Sequence, residues 1–231
     1  MPKPQSPLWQ FGCSSIGYDS TTSKEVPLAV VPGVTQSNIR EATAEPRRYG
    51  FHATLKSPFS LAEGQNEKAL ESAALAFAAN QKSFEVPALQ VAALGRFLAI
   101  VTESPSEGAA TPISSANVAL GQLAAACVKN FDPFRADLSD ADRQRRLSRP
   151  LTERQRDYLD TWGYPYVLDE FRFHMTLTGP LPEPQRALIL SALQHRFGPI
   201  KAPLTVDAIA LCRQPDRSAK FRVMQRYPFA P

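Results

Sequence analysis

Residues 51–58 read F-H-A-T-L-K-S-P, and residues 173–180 read F-H-M-T-L-T-G-P. Phe, His, Thr, Leu and Pro recur at the same five offsets. The chain holds three histidines, and two of them stand in this repeat. A degenerate apolar motif recurs easily by accident. A His followed two places later by Thr, inside matched apolar flanks, does not.

The local pattern of both copies has period two. Tyr49, Phe51, Ala53 and Leu55 alternate with Arg48, His52, Thr54 and Lys56. Phe171, Phe173, Met175 and Leu177 alternate with Arg172, His174, Thr176 and Thr178. Alternation closed by Ser-Pro and Gly-Pro predicts strands, over 48–57 and 170–179. Residues i and i+2 of a strand share a face. Each copy then offers an imidazole and a hydroxyl on one face and turns its apolar set to the core. Two such strands side by side present two imidazoles and two hydroxyls to one ligand.

Working outward, residues 1–25 read as irregular, with Pro7 to Gly12 (P-L-W-Q-F-G) as an apolar anchor. Leu28 to Val31 reads as a short strand and Gln36 to Ala44 as a short helix. The Ala-rich stretch 66–80 reads as a helix capped by Asn66. Strands follow over 83–94 and 96–102, turning at Gly95-Arg96. Residues 103–111 read as a polar loop, and Pro112 opens a second helix that runs to Phe131. Thr152 caps a third, to Thr161, and residues 184–197 form a fourth, ended by Gly198-Pro199. Two strands, 203–212 and 219–226, close the chain around a turn at Gln214 to Arg217.

The order of elements after each motif is the same: helix, then two strands. The expected architecture is α+β: two pseudo-symmetric lobes, about 26–131 and 150–231, each an antiparallel sheet with helices outside. The motif strands would face each other across a central cleft within one bilobal domain.

Composition narrows the classes. With 43% hydrophobic and 21% charged residues, the chain is an ordinary globular protein. A net charge of +4 is compatible with an anionic substrate. The absence of a long basic stripe argues against a large RNA. Cys13, Cys127 and Cys212 are odd in number and widely spaced, which fits free thiols in a reducing compartment. No apolar signal core or membrane-length stretch occurs, so the expected location is the cytoplasm, as a monomer. The Arg-rich run 143–149 reads either as a solvated helix face or as a contact to a phosphate-bearing ligand.

Two imidazoles can act as an acid–base pair. One, neutral, removes a proton from water or a ribose hydroxyl; the other, protonated, donates to the departing oxygen. The Thr hydroxyls can donate to non-bridging phosphate oxygens, and nothing in the scheme needs a metal or other cofactor. Metal ligation fits poorly: no carboxylate recurs beside the motif, and the third histidine, His195, falls on a helix beside Arg196. Tyr49, Lys56, Arg172 and Tyr166 are further candidates for substrate contact, from strand geometry and nearness in sequence.

The paired tetrapeptides His52-Ala-Thr54-Leu and His174-Met-Thr176-Leu resemble those of the two-histidine (2H) phosphoesterase superfamily. The longer strings R-R-Y-G-F-H-A-T-L-K, W-G-Y-P-Y-V and F-R-F-H-M-T-L-T-G look like a branch encoded in bacterial phosphonate-utilisation operons. The resemblance covers roughly residues 8–227. It implies that His52 and His174 are the catalytic pair and that Thr54 and Thr176 bind phosphate. It implies a hydrolase, a metal-independent cyclic phosphodiesterase acting on a small cyclic phosphate or phosphodiester in phosphonate metabolism. The alternatives are a non-catalytic binder of a phosphorylated metabolite or RNA end, and 2′-5′ RNA ligase-like activity. Members of the family usually begin with a strand of the kind R-Y-A-I-Y-F. Here Met1-Pro-Lys-Pro stands in its place, so either an edge strand is missing or the native start lies upstream.

Overall fold

The structure, a computed structural model, describes residues 1–102, 115–200 and 203–230. The expected loop at 103–111 and the helix start at Pro112 lie outside these residues.

The first departure from expectation comes early. Residues 7–16 form a helix, α1 (Pro7–Ile16), where an irregular segment was expected. The signal was present: the Ser6 hydroxyl accepts from the Trp9 amide, and Pro7 supplies a preset φ at the first helical position. Trp9, Phe11, Cys13 and Ile16 are buried along it. Next come the short hairpin β1 (Tyr18–Asp19) and β2 (Lys24–Glu25), then α2 (Gln36–Ala42) and α3 (Ala44–Tyr49). Residues 28–31 form no strand.

The middle of the chain follows its periodicity. Asn66 caps α4 (Glu67–Ala79) through the Ala69 amide. Strands β3 (Phe84–Val86), β4 (Leu89–Leu94) and β5 (Phe97–Thr102) follow. Helix α5 (Ser115–Phe131) ends at a 3-10 turn, and α6 (Asp140–Leu147) is capped by Ser139. Thr152 and Gln155 close a capping box on α7 (Glu153–Trp162). Strand β6 (His174–Thr176), helix α8 (Glu183–Phe197), and strands β7 (Leu204–Val206), β8 (Ala208–Arg213) and β9 (Arg222–Pro228) complete the chain. All named strand pairs are antiparallel, and the fold is mixed α+β. Among the described residues, no helix is long and apolar enough to cross a membrane.

Strand pairing runs across the two halves of the sequence. β6, which carries the second motif, pairs with β5, with His174 opposite Val101 and Thr176 opposite Ala99. β3 pairs with β7. The larger core gathers Phe11, Ile39, Phe51, Val91 and Ile100 with Met175, Leu177, Ile189 and Phe197. The second core joins Ala74, Phe77, Leu123 and Phe131 to Ile209, Tyr227 and Phe229. Each core therefore takes residues from both the 26–131 and the 150–231 segments, and neither segment closes a core by itself.

Candidate functional site

The two motifs share their side-chain pattern and differ in backbone. In the second copy the expected ladder exists but is short: β6 spans three residues, preceded by a 3-10 turn, Leu168–Glu170. Met175 and Leu177 are buried, and His174 and Thr176, half-buried, alternate with them. In the first copy, the expected strand over 48–57 is replaced by the end of α3 and an irregular run, bent at 51, 55 and 56, with no ladder. The basic residues Arg47 and Arg48 suit the last turn of a helix. Gly50, at φ 77° and ψ 171°, then turns the chain sharply, in a conformation essentially restricted to glycine.

Phe51 anchors this turn, only 1% exposed, with its ring against Gly12 of α1. His52, the next residue, is half-buried. Its Nδ1–H donates to the Gly50 carbonyl at 2.9 Å, which leaves Nε2 to accept from the Thr54 hydroxyl, also at 2.9 Å. Burial pushes the imidazole down to about 4, and the nearby His174 adds to the effect. His52 is thus neutral at neutral pH, with Nε2 as its basic nitrogen.

His174 repeats half of this arrangement. Its Nδ1–H donates to the carbonyl of Arg172, again two residues back, at 2.8 Å. The ring tilts against Phe97 at 5.9 Å between centroids. In both copies the i−2 carbonyl sets the tautomer and frees Nε2. The copies differ at the Thr: among the described hydrogen bonds, Thr54 closes onto its own histidine and Thr176 does not.

The remaining candidates go to different places. Lys56 donates to Asp132 at 2.9 Å and to the Val128 carbonyl at 3.0 Å, and its side chain is 9% exposed. Its ammonium holds α5 and the 132–134 turn with two of its three protons, where the sequence suggested a candidate for substrate contact. Tyr49 stacks on Phe221 at 5.3 Å. Tyr166 meets Tyr164 edge to face at 5.6 Å. Arg172 is exposed, and it is its backbone carbonyl that orients His174. Thr178, which the alternation placed on the imidazole face, is buried and accepts from the Leu98 amide. His195 is an exposed residue of α8. A cavity of about 420 Å³ between Gly33, Asn38, Glu41 and Leu188 contains none of the motif residues.

Sequence reasoning missed Gly50, although a Gly directly before Phe-His was a visible cue for a special backbone angle. An alanine at position 50 would meet Ser20 at 2.6 Å and strain the backbone besides. We expect Gly50→Ala to cost roughly 1–3 kcal/mol and to pull the carbonyl away from His52. Thermal unfolding and the ¹⁵N shifts of the His52 ring measure the two effects. An unchanged melting temperature with an unchanged tautomer would refute this role for Gly50.

Fold and site together define an α+β protein built around two His-x-Thr segments. The chain belongs to the family described as "Protein of unknown function (DUF1045)", whose pattern matches residues 54–222. It is also similar to two proteins named "Ribose 1,5-bisphosphate phosphokinase PhnN". One, from Janthinobacterium sp. (strain Marseille), is 37% identical over 99% of this chain and 49% of its own length. The other, from Laribacter hongkongensis (strain HLHK9), is 32% identical over 96% of this chain and 48% of its own length. The chain spans about half the length of these relatives. Their names correct the expectation of a hydrolase: a phosphokinase transfers a phosphoryl group to an acceptor and does not cleave a cyclic phosphodiester with water.

Proposed function

We propose that this chain holds a phosphorylated ribose for phosphoryl-transfer chemistry of the kind its relatives are named for. The observation that carries the reading is the repeated tautomer lock. Two imidazoles have their Nδ1–H tied to an i−2 carbonyl, so each Nε2 is left for a ligand or a neighbouring hydroxyl. Thr54 and Thr176 supply hydroxyls beside them, and the resemblance to the 2H superfamily, whose motif residues engage phosphate, supports phosphate as the group held. The resemblance to proteins of phosphonate-utilisation operons supports a small phosphorylated metabolite.

Neutral His52 suits the role of base. A sugar hydroxyl placed at Nε2 can give up its proton as its oxygen attacks the phosphorus of a donor, and the donor's bridging oxygen leaves with the bond electrons. A G-x-x-x-x-G-K-[ST] loop, a common cradle for a nucleotide donor, does not occur among the 231 residues. In this reading the chain contributes the acceptor side, and the part of the longer relatives that it does not span contributes the donor side.

Calorimetric titration with ribose 5-phosphate and ribose 1,5-bisphosphate tests the reading, with ³¹P spectra taken before and after incubation without a donor. Binding that weakens at least roughly tenfold in His174→Ala, the loss of about one charge-assisted hydrogen bond, with the ligand recovered unchanged, is the expected result. No binding of either sugar, or release of inorganic phosphate by the wild type alone, would overturn it.

A further inference from the structure

The loop between β8 and β9 ends on Phe221, which is 8% exposed and, among the described residues, belongs to neither core. Its burial goes into a junction with two segments distant in sequence. The Phe221 amide donates to the Arg48 carbonyl at 2.7 Å, and the Phe221 carbonyl accepts from the buried Tyr18 hydroxyl at 2.9 Å. Its ring stacks on Tyr49, 24° from parallel and 5.3 Å between centroids. Two residues on, the Val223 amide donates to the Ser20 carbonyl at 2.8 Å.

These contacts converge on Gly50. Arg48 lies in the last turn of α3, where a carbonyl has no partner within the helix, and Phe221 supplies one. Ser20 stands against Gly50, so close that a Cβ there would meet the serine side chain at 2.6 Å. Both supports of Gly50 are therefore held by residues 221–223, and it is the Gly50 carbonyl that accepts the His52 Nδ1–H. The His174 lock has a separate support. Gln155 and Tyr158 of α7 donate to Glu170 and Asp169 of the 3-10 turn that precedes Arg172. Among the described residues no hydrogen bond joins 221–223 to 168–176.

We propose that Phe221 is a positioning residue for His52. It clamps the end of α3 and the segment after β1 so that the Gly50 carbonyl meets the imidazole, which leaves Nε2, and not Nδ1, for the ligand. Its action runs through Arg48, Tyr49 and Gly50. The stacked pair of rings resists sliding, since displacement of either ring loses aromatic contact. What Nε2 receives rests on the reading of the chain as a sugar-phosphate holder; the clamp itself does not.

The ¹⁵N spectra of the histidine rings in the full chain, at pH 7 and without ligand, test it. Wild type should show His52 in the Nδ1–H form alone. Phe221→Ala should bring in the Nε2–H form of His52 and leave His174 unchanged. Should Phe221→Ala fail to fold, Tyr49→Ala removes the same stack from its more exposed side. It should shift His52 in the same direction, and Tyr49→Phe, which keeps the ring, should not. A single Nδ1–H form of His52 in Phe221→Ala or in Tyr49→Ala refutes the clamp. So does an equal change at His174, the mark of a general loosening. Ribose 5-phosphate supplies a second readout: its affinity should fall about 2- to 10-fold in Phe221→Ala, the worth of one hydrogen bond. An unchanged affinity in a variant whose His52 tautomer is lost refutes the positioning role. If the wild type binds no sugar phosphate and the tautomer still depends on Phe221, the clamp stands and the sugar-phosphate reading falls.

Discussion

Phe51→Ala should lower the stability of the chain by about 3–5 kcal/mol, a fall in melting temperature of roughly 6–20 °C for a protein of this size. Phe51 is among the largest fully buried side chains, and it belongs to the larger core. Its ring occupies the space that a Cβ on Gly12 would need, at 1.9 Å, so the two residues are a matched pair across α1 and the first motif. Truncation removes the ring and opens a cavity at the point where α1, α3 and the motif meet. Since His52 is the next residue, sugar-phosphate affinity should fall in the same variant. Circular dichroism melting measures the first effect. A melting temperature within about 2 °C of wild type would mean that the site collapses freely and that Phe51 does not set the position of His52.

Acid should weaken the fold through His52. The imidazole titrates near its ordinary 6.5 when the chain is unfolded and at about 4 when folded. Between these values the unfolded chain holds one proton more than the folded one, so stability falls as pH falls. The contribution is fully present above pH 6.5 and is lost on descent toward pH 4. From pH 7 to pH 5 the expected loss is about 2 kcal/mol. Asp132, raised by burial but held low overall by hydrogen bonds from Arg135 and Lys56, loses its contribution only below its ordinary 3.8, beneath this window. Urea unfolding at pH 7 and pH 5 for wild type and His52→Asn isolates His52 through the difference between the two proteins. Equal pH dependence in both would show that burial of the imidazole is not coupled to folding.

Much of the fold could be read from local periodicity. Asn66 and Thr152 announced their helices through cap chemistry, Gly95-Arg96 announced the β4–β5 turn, and the aliphatic spacing of 184–197 announced α8. What failed was mostly non-local. Alternation around His52 satisfied the strand pattern, but a strand also needs a neighbour to complete its hydrogen bonds, and residues 51–57 have none in a ladder. Nothing near Lys56 in sequence pointed to its partner Asp132, which lies 76 residues away. The α1 helix was missed for a different reason: three early prolines hid a Ser-Pro start that local chemistry could have revealed. In the site, the His-x-Thr spacing was legible, whereas the carbonyls that fix both tautomers were not, because backbone direction is not written in residue type.

The crossing of strands between halves has a consequence for assembly. β5 must find β6, and β3 must find β7, across separations of about seventy and about a hundred and twenty residues. Closing such long loops before any contact rewards it is slow, and topologies of this kind fold later than local ones. A ribosome releasing the chain from its amino end would expose half-built cores until the carboxyl-terminal hairpin emerged. The two histidines could then share an environment only after β6 had docked on β5, so the site would form late in assembly.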